Sequence, residues 1–378
     1  MNILITGGAG FIGANLSLRL VEEGHNVTVL DNLSPQIHGS DPNLSSPLYG
    51  QIKNKVRFLQ ASVSDANIWA RCIPGQDVIV HLAAETGTGQ SMYEIERYVD
   101  VNIMGTAGML GWLSRNDHGI KRIVVASSRA IYGEGKYTDE HGNIIYPCAR
   151  LDGDMQNGIF DVLCAHTRKP LKPLPTDEGS KIHPSSVYGI TKQNQEQLVM
   201  TVSPTIGIEG VALRYQNVYG PGQSLKNPYT GILSIFSTRA LNGNEIQIFE
   251  DGLESRDFVY IDDVVEATYL ALTKSEAANQ VFGVGSGVAT NVLDVAKSLI
   301  KAYASEVPIT ITGAFRMGDI RHNFADLSKA QKILGFKPRV CFQAGIKLFS
   351  SWVLKQQIEE DNYQRSIDEM KRRGLYRE

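Results

Sequence analysis

Two stretches of this chain combine residue types and spacings that could do chemistry. The first is Thr6-Gly7-Gly8-Ala9-Gly10-Phe11-Ile12-Gly13, which directly follows the apolar run Ile3-Leu4-Ile5. A glycine turn between strand and helix presents backbone N–H groups and the positive end of the helix dipole to phosphate. Gly7 allows the tight turn, Gly10 lets backbone approach a pyrophosphate, and Gly13 permits close packing of helix on strand. Asp31 closes the next apolar run, Val27-Thr28-Val29-Leu30, and lies 18 residues past Gly13. At about that distance a carboxylate accepts both ribose hydroxyls and repels a 2′-phosphate. The pattern therefore predicts a dinucleotide site for NAD rather than NADP.

The second is Tyr188 with Lys192, one helical turn apart in Ser185-Ser186-Val187-Tyr188-Gly189-Ile190-Thr191-Lys192, so that both project from one helix face. A free phenol with a pKa of about 10 is a poor base at neutral pH, but an adjacent ammonium and an oxidised nicotinamide both favour the phenolate. Tyr188 is then able to exchange a proton with a substrate hydroxyl. On its own the pair is equally an amphipathic helix with a packed tyrosine. Its weight comes from Ser127-Ser128-Arg129-Ala130-Ile131-Tyr132-Gly133, which ends a buried strand and allows Ser128 to hydrogen-bond the same substrate oxygen.

These groups need a scaffold. Strand-like runs at residues 2–6, 26–31, 56–60, 77–82, 122–127 and 210–214 alternate with helix-length segments. That alternation demands a parallel sheet with helices on both faces, whose ligands bind outside the C-terminal strand ends. The predicted fold is α/β: a Rossmann doubly wound sheet over residues 1–216, with an insertion at 134–178, and a smaller α/β C-terminal substrate domain over 217–378. Residues 258–282 are expected to return to the cofactor domain. Helices are expected at 232–241, 264–272 and 292–303, and the charged tail 357–378 reads as a solvated helix. With 37 basic and 40 acidic residues among 378, nothing favours a nucleic-acid partner. The early first strand and the lack of long apolar runs point away from a secretory leader or membrane span. Four scattered cysteines, Cys72, Cys148, Cys164 and Cys341, suit a reducing compartment, and a cytoplasmic protein is expected.

Taken together, the glycine turn, serine loop and tyrosine–lysine pair resemble the extended short-chain dehydrogenases/reductases, specifically the NAD-dependent nucleotide-sugar epimerases and dehydratases. The resemblance implies NAD held by Gly7, Gly10, Phe11, Ile12 and Gly13, with Asp31 and Asn32 beyond the second strand. Ser62 and Val63 fall at the adenine, where Ser62 replaces the usual aspartate. Leu82, Ala83, Ala84 and Thr86 pass beneath the cofactor, Asn102 supports them, and Ser127, Tyr188, Lys192 and Tyr215 complete that side. For a nucleotide-diphosphate sugar, it implies Thr88, Ser128, Arg129, Asn217, Ile232, Arg256 and Arg316. The last two match diphosphate-binding arginines, whose planar fork suits phosphate oxygens. The catalytic set it implies is Ser128, Tyr188 and Lys192. Relatives dimerise through paired helices, matched here by 97–113 and 188–202, so a homodimer is expected. Base recognition is expected near residues 227–235.

Dehydratases of this kind carry an acid pair after the catalytic hydroxyl, where this chain has Arg129 and Ala130. Neither can act as a general acid or base, which disfavours elimination. The remaining expectation is 4-epimerisation through a 4-keto sugar, with room for the sugar to turn at Thr86-Gly87-Thr88-Gly89. The run Glu85 to Glu94 and the insertion look most like dTDP-L-rhamnose 4-epimerases, which make dTDP-6-deoxy-L-talose. A UDP-glucose/UDP-galactose-type 4-epimerase, a net oxidoreductase or decarboxylase, and a non-catalytic NAD-binding protein are the alternatives. Some relatives bear cysteine pairs in the insertion that suggest a zinc ribbon. Here Thr138, His141, Cys164 and Thr167 fall near those places, with Cys148 and His166 nearby, and threonine is a poor zinc ligand. No metal is expected.

Overall fold

In the computed structural model, which describes residues 1–227 and 231–378, the apolar runs form one seven-stranded sheet. Its strands are β1 (Asn2–Thr6), β2 (Asn26–Asp31), β3 (Arg57–Gln60), β4 (Val78–His81), β5 (Arg122–Ser128), β6 (Glu209–Tyr215) and β7 (Gln280–Val284). They are all parallel, in the order β7-β6-β5-β4-β1-β2-β3. Strands covered on both faces need apolar side chains on both, and β4 and β5 are buried at every position. Ile3, Ile5, Val78, Val80 and Val124 face one core, which runs on into the C-terminal half. Leu4, Ile79, Ile123 and Val125 face the other.

Two predicted strands match to the residue, and the others shift by a residue or two at their ends. β7, which pairs with β6 from Gln280 to Val284, was not among the predicted strands. The helices Ile232–Leu241 and Val292–Tyr303 have the predicted limits, and the third runs longer, from Ile261 to Thr273.

The insertion has a sheet and core of its own, and the tail departs from expectation. Residues 134–178 carry a small antiparallel sheet, with Tyr137–Thr138 between Ile144–Ile145 and Lys172–Pro173, over a core of Tyr137, Val162, Cys164 and Leu171. Buried ion pairs fasten it to the C-terminal half: Arg150 to Glu250 at 2.7 Å, and Glu250 in turn to Arg321 at 2.9 Å. The tail is not simply solvated. Its helix Tyr363–Arg372 buries Tyr363, Ile367 and Met370, and Tyr376–Arg377 pairs antiparallel with Phe315–Arg316. Three apolar side chains four and three residues apart make one stripe, enough to seat an otherwise charged helix. Among the described residues no helix is long and apolar enough to cross a membrane.

Candidate active site

The C-terminal ends of the parallel strands open into a cleft of about 990 Å³. At its floor the turn after β1 is built for close approach. Gly7 has φ +67°, and a Cβ added at Gly13 would stand 2.4 Å from Gly7 O and 2.6 Å from Gly8 Cα. Gly8 is equally constrained, because a Cβ there would meet Val29 at 2.7 Å, a requirement not foreseen from the spacing of the other three glycines. The helix Phe11–Glu22 starts at Gly10 with no acidic side chain in its first turn, leaving its positive end free for an anion.

Asp31 lines the same cleft, held by the Ala9 N–H at 3.0 Å and the Leu33 N–H at 2.8 Å. The His38 ring lies 3.7 Å from it. Burial lowers the His38 pKa, against the pull of Asp31. Glycine backbone, free helix end and fixed carboxylate, in this order along one groove, fit the diphosphate and ribose of a dinucleotide.

Phe11, Ile12, Asn32, Ser62, Val63, Leu82, Ala83, Ala84, Thr86, Ser127 and Tyr215 also line the cleft. Asn102 does not open onto it. Fully buried, it acts from behind: its amide accepts from the Glu85 N–H at 2.7 Å and donates to Glu85 O at 3.1 Å and Thr191 Oγ at 2.9 Å. It thus ties the 82–86 loop to the helix Val187–Thr205. The Ser62 N–H donates to Asp65 at 3.0 Å, so a carboxylate does stand near this place, three residues on, but it is spent on the backbone.

Ser186 caps the helix Val187–Thr205 by accepting from the Gly189 N–H, and the Tyr188 N–H donates to Ser91 Oγ at 3.0 Å. Tyr188 shares a hydrogen bond with Ser128, whose Oγ also accepts from the Ala130 N–H at 3.1 Å. Burial raises the Tyr188 pKa, while the Ser128 bond and the Arg129 cation pull it down. Arg129 itself is lowered to about 9 by burial and by neighbouring Arg256. Lys192, expected beside the phenol, donates instead to Gln195 Oε1 at 2.7 Å, and burial lowers it to about 7 against Glu196.

Behind this set, Glu196 binds Ser127 Oγ at 2.5 Å and Arg214 at 2.6 Å. Sequence reasoning missed that network because its members lie on three separate elements.

Beside this set, Arg129 Nε donates to Asn217 Oδ1 at 2.9 Å, joining two predicted substrate residues. Thr88, Ile232, Arg256 and Arg316 also line the cleft, and Thr88 opens a short helix, Thr88–Ser91. Arg256 donates to the carbonyls of Ser255, Ile320 and Arg321, which fixes its guanidinium in place. Arg316 pairs with Asp319, another cleft residue not singled out beforehand. Although burial opposes it, Arg316 and Arg256 hold the Asp319 carboxyl below the usual range. Of the segment expected to read the base, residues 228–230 lie outside the described residues.

In the insertion, Cys164 accepts from the Thr167 hydroxyl and from the backbone N–H groups of His166 and Thr167, which lowers its pKa. The grouping of acidic, histidine or cysteine side chains that stands close enough for a metal among the described residues is Glu250, Asp251 and Glu254. Arg321 pairs with the first two.

Comparison with known proteins agrees with this geometry. The chain matches the family described as "NAD dependent epimerase/dehydratase family" over residues 3–150 and 164–285. It is 39% identical over 356 residues to dTDP-L-rhamnose 4-epimerase of Burkholderia thailandensis, covering 94% of this chain and 95% of that one. The crystal structure of UDP-glucose 4-epimerase from Thermotoga maritima with UDP-glucose is similar with TM-score 0.75 and 31% identity, over 94% of this chain and 99% of that one. MoeE5 in complex with UDP-glucuronic acid and NAD gives TM-score 0.74 and 25% identity, again over 94% and 99%.

Proposed function

Since this chain belongs to the NAD dependent epimerase/dehydratase family, we propose that it is a nucleotide-sugar 4-epimerase whose substrate is dTDP-L-rhamnose and whose product is dTDP-6-deoxy-L-talose. The observation that carries the reaction class is the meeting of Tyr188, Ser128 and Arg129 on one cleft with the glycine turn. The choice of sugar rests on the 39% identity to the Burkholderia thailandensis enzyme.

The residues divide the work as follows. Gly7 to Gly13, Asp31 and the 82–86 loop hold NAD, which when bound supplies a reversible hydride acceptor for the sugar's C4. Tyr188 takes the proton of the C4 hydroxyl, and Ser128 holds the same oxygen in line. Burial alone would keep the phenol protonated, so cations must favour its ionised form. Arg129 already acts on it, and Lys192, near its own titration point and one helical turn away, is the second. The resulting 4-keto sugar turns in the space beside Gly87 and Gly89, and Tyr188 returns the proton to the opposite epimer. Asn217, Arg256 and Arg316 anchor the diphosphate while the sugar moves. No net redox occurs, so the cofactor is retained between turnovers.

We assign the cofactor to residues 1–216 and the substrate to 217–378, with 258–282 serving the cofactor half. The four unpaired cysteines support a cytoplasmic setting. A homodimer is supported by exposed Ile95, Met104 and Ile190 on helices that pack side by side, an apolar face that a second copy would cover. Light scattering should return twice the chain mass.

The test of function is a proton NMR time course of the purified protein with dTDP-L-rhamnose, without added cofactor, repeated with UDP-glucose. A C4 epimer accumulating catalytically from dTDP-L-rhamnose supports the proposal. Turnover of UDP-glucose alone would replace the substrate, and a stable 4-keto product would replace the reaction.

A further inference from the structure

Residues 361–377 touch both walls of the cleft. On the substrate side the helix Tyr363–Arg372 packs Tyr363, Ile367 and Met370 against Ile235 and Phe249. Its start is held by Arg239, which stacks on the Tyr363 ring at 4.3 Å and pairs with Asp361 at 3.2 Å. Beyond the helix, Tyr376 pairs with Arg316 and the Met317 N–H donates to Leu375 O at 2.9 Å. On the cofactor side, the Arg373 guanidinium lies 5.0 Å from the centre of the Tyr93 ring, and Met370 Sδ is 3.9 Å from where a Cβ on Gly89 would stand. Tyr363, Met370 and Leu375 face the cleft itself.

Arg316 sits in a strand of two residues whose only sheet partner among the described residues is this tail. Its side chain rests 5.1 Å from the centre of the Phe249 ring, which Tyr376 meets edge-on at 5.6 Å. Take the tail away and both the backbone and the aromatic seat of Arg316 lose their support, while the Arg373–Tyr93 contact between the walls is broken.

We propose that residues 361–377 form a wall of the substrate site, positioning Arg316 for the diphosphate of the incoming nucleotide and holding the two sides of the cleft together around it. The ligand class rests on the function proposed above, and the individual residues act as positioning groups. They carry no chemistry of their own.

The experiment measures dTDP and UDP binding by titration calorimetry to the NAD-containing full chain, to a chain ending at Glu360, and to Arg373→Ala. Whichever nucleotide the full chain binds should bind about tenfold or more weakly to the shortened chain. In Arg373→Ala the loss should be about two- to fivefold, the range of one exposed cation–π contact. NAD content should be unchanged in both, and in turnover KM should rise more than kcat falls. Unchanged affinity in a shortened chain that keeps its NAD overturns the proposal, as does a full chain that binds neither nucleotide. If the shortened chain fails to fold, Arg373→Ala decides. Arg373 is exposed, its loss leaves the core intact, and unchanged affinity there overturns the proposal equally. Neither probe carries a sugar, so an error in the assigned sugar would leave this comparison untouched.

Discussion

Replacing Gly13 with alanine puts the cofactor cradle to the test with a single methyl group. The added Cβ would lie 2.4 Å from Gly7 O and 2.6 Å from Gly8 Cα, both backbone atoms that cannot rotate away. Reaching even 3.0 Å requires the helix start and the turn to part by about 0.6 Å, and ordinary contact requires about 1 Å. Forced overpacking of this kind costs about 1–3 kcal/mol. Because the atoms that must move carry the phosphate-facing backbone, that strain should appear in cofactor binding. With 1.4 kcal/mol per factor of ten, NAD should bind about fivefold to a hundredfold more weakly. The assay is NAD released per chain from purified protein, followed by titration of the stripped protein with NAD. Gly153→Ala is the control: it lies in the insertion helix Asp152–Gln156 with open space around it. It should leave NAD content unchanged and gain a few tenths of a kcal/mol to about 1 kcal/mol in stability. Full NAD occupancy and native affinity in Gly13→Ala would refute the cradle.

Further outcomes follow from the same geometry. Tyr188→Phe should keep the fold and bound NAD while losing about 10²–10⁴ in kcat, the range of a general acid–base group; full turnover in steady-state assays would remove Tyr188 from the mechanism. Glu196→Ala should lower unfolding free energy in urea by about 3–5 kcal/mol, since it strands the buried Arg214 and frees Ser127 Oγ; a loss under about 1 kcal/mol would show the pair to be dispensable. Burial, with nearby arginines, lowers His322 to about 4, so the folded ring stays neutral where the unfolded chain takes up a proton. Its contribution is intact above pH 6.5 and is lost as pH falls towards 4. The urea midpoint of His322→Asn should therefore fall less steeply than that of the native chain across this window. Parallel curves would rule the histidine out.

What could be read from the sequence was whatever the chemistry keeps local. Asn2–Thr6 and Asn26–Asp31 are built on the apolar runs Ile3-Leu4-Ile5 and Val27-Thr28-Val29-Leu30, and the glycine turn follows the first of them directly, so strand, turn and helix announce one another. Tyr188 and Lys192 share a helix face by spacing alone, and Ser128 ends a strand whose burial is visible in Ile123-Val124-Val125. Contacts that depend on distant elements were not legible. β7 has five residues and a glycine, too little for a pattern, and gains its place only by pairing with β6. The two-residue strands of the insertion exist because Tyr137 and Leu171 meet across 33 intervening positions of polar chain. In the tail, the stripe Tyr363, Ile367, Met370 was present but diluted by charge, and its partners Phe249 and Ile235 lie more than a hundred residues earlier. Side-chain aim was equally hidden: nothing in the spacing says that Lys192 turns to Gln195 or that Arg256 spends donors on three carbonyls.

The central claim is that C4 is oxidised and reduced within one closed site, and the measurement that addresses it most directly is the fate of the C4 hydrogen. The epimerisation is run in deuterium oxide with dTDP-L-rhamnose and the product examined by proton NMR and mass spectrometry. The account predicts a product that retains protium at C4 and gains no mass on carbon, because the hydrogen leaves and returns inside the enzyme while Tyr188 exchanges the hydroxyl proton alone. Deuterium at C4 would mean that the carbon had exchanged with solvent, and would contradict the assigned mechanism.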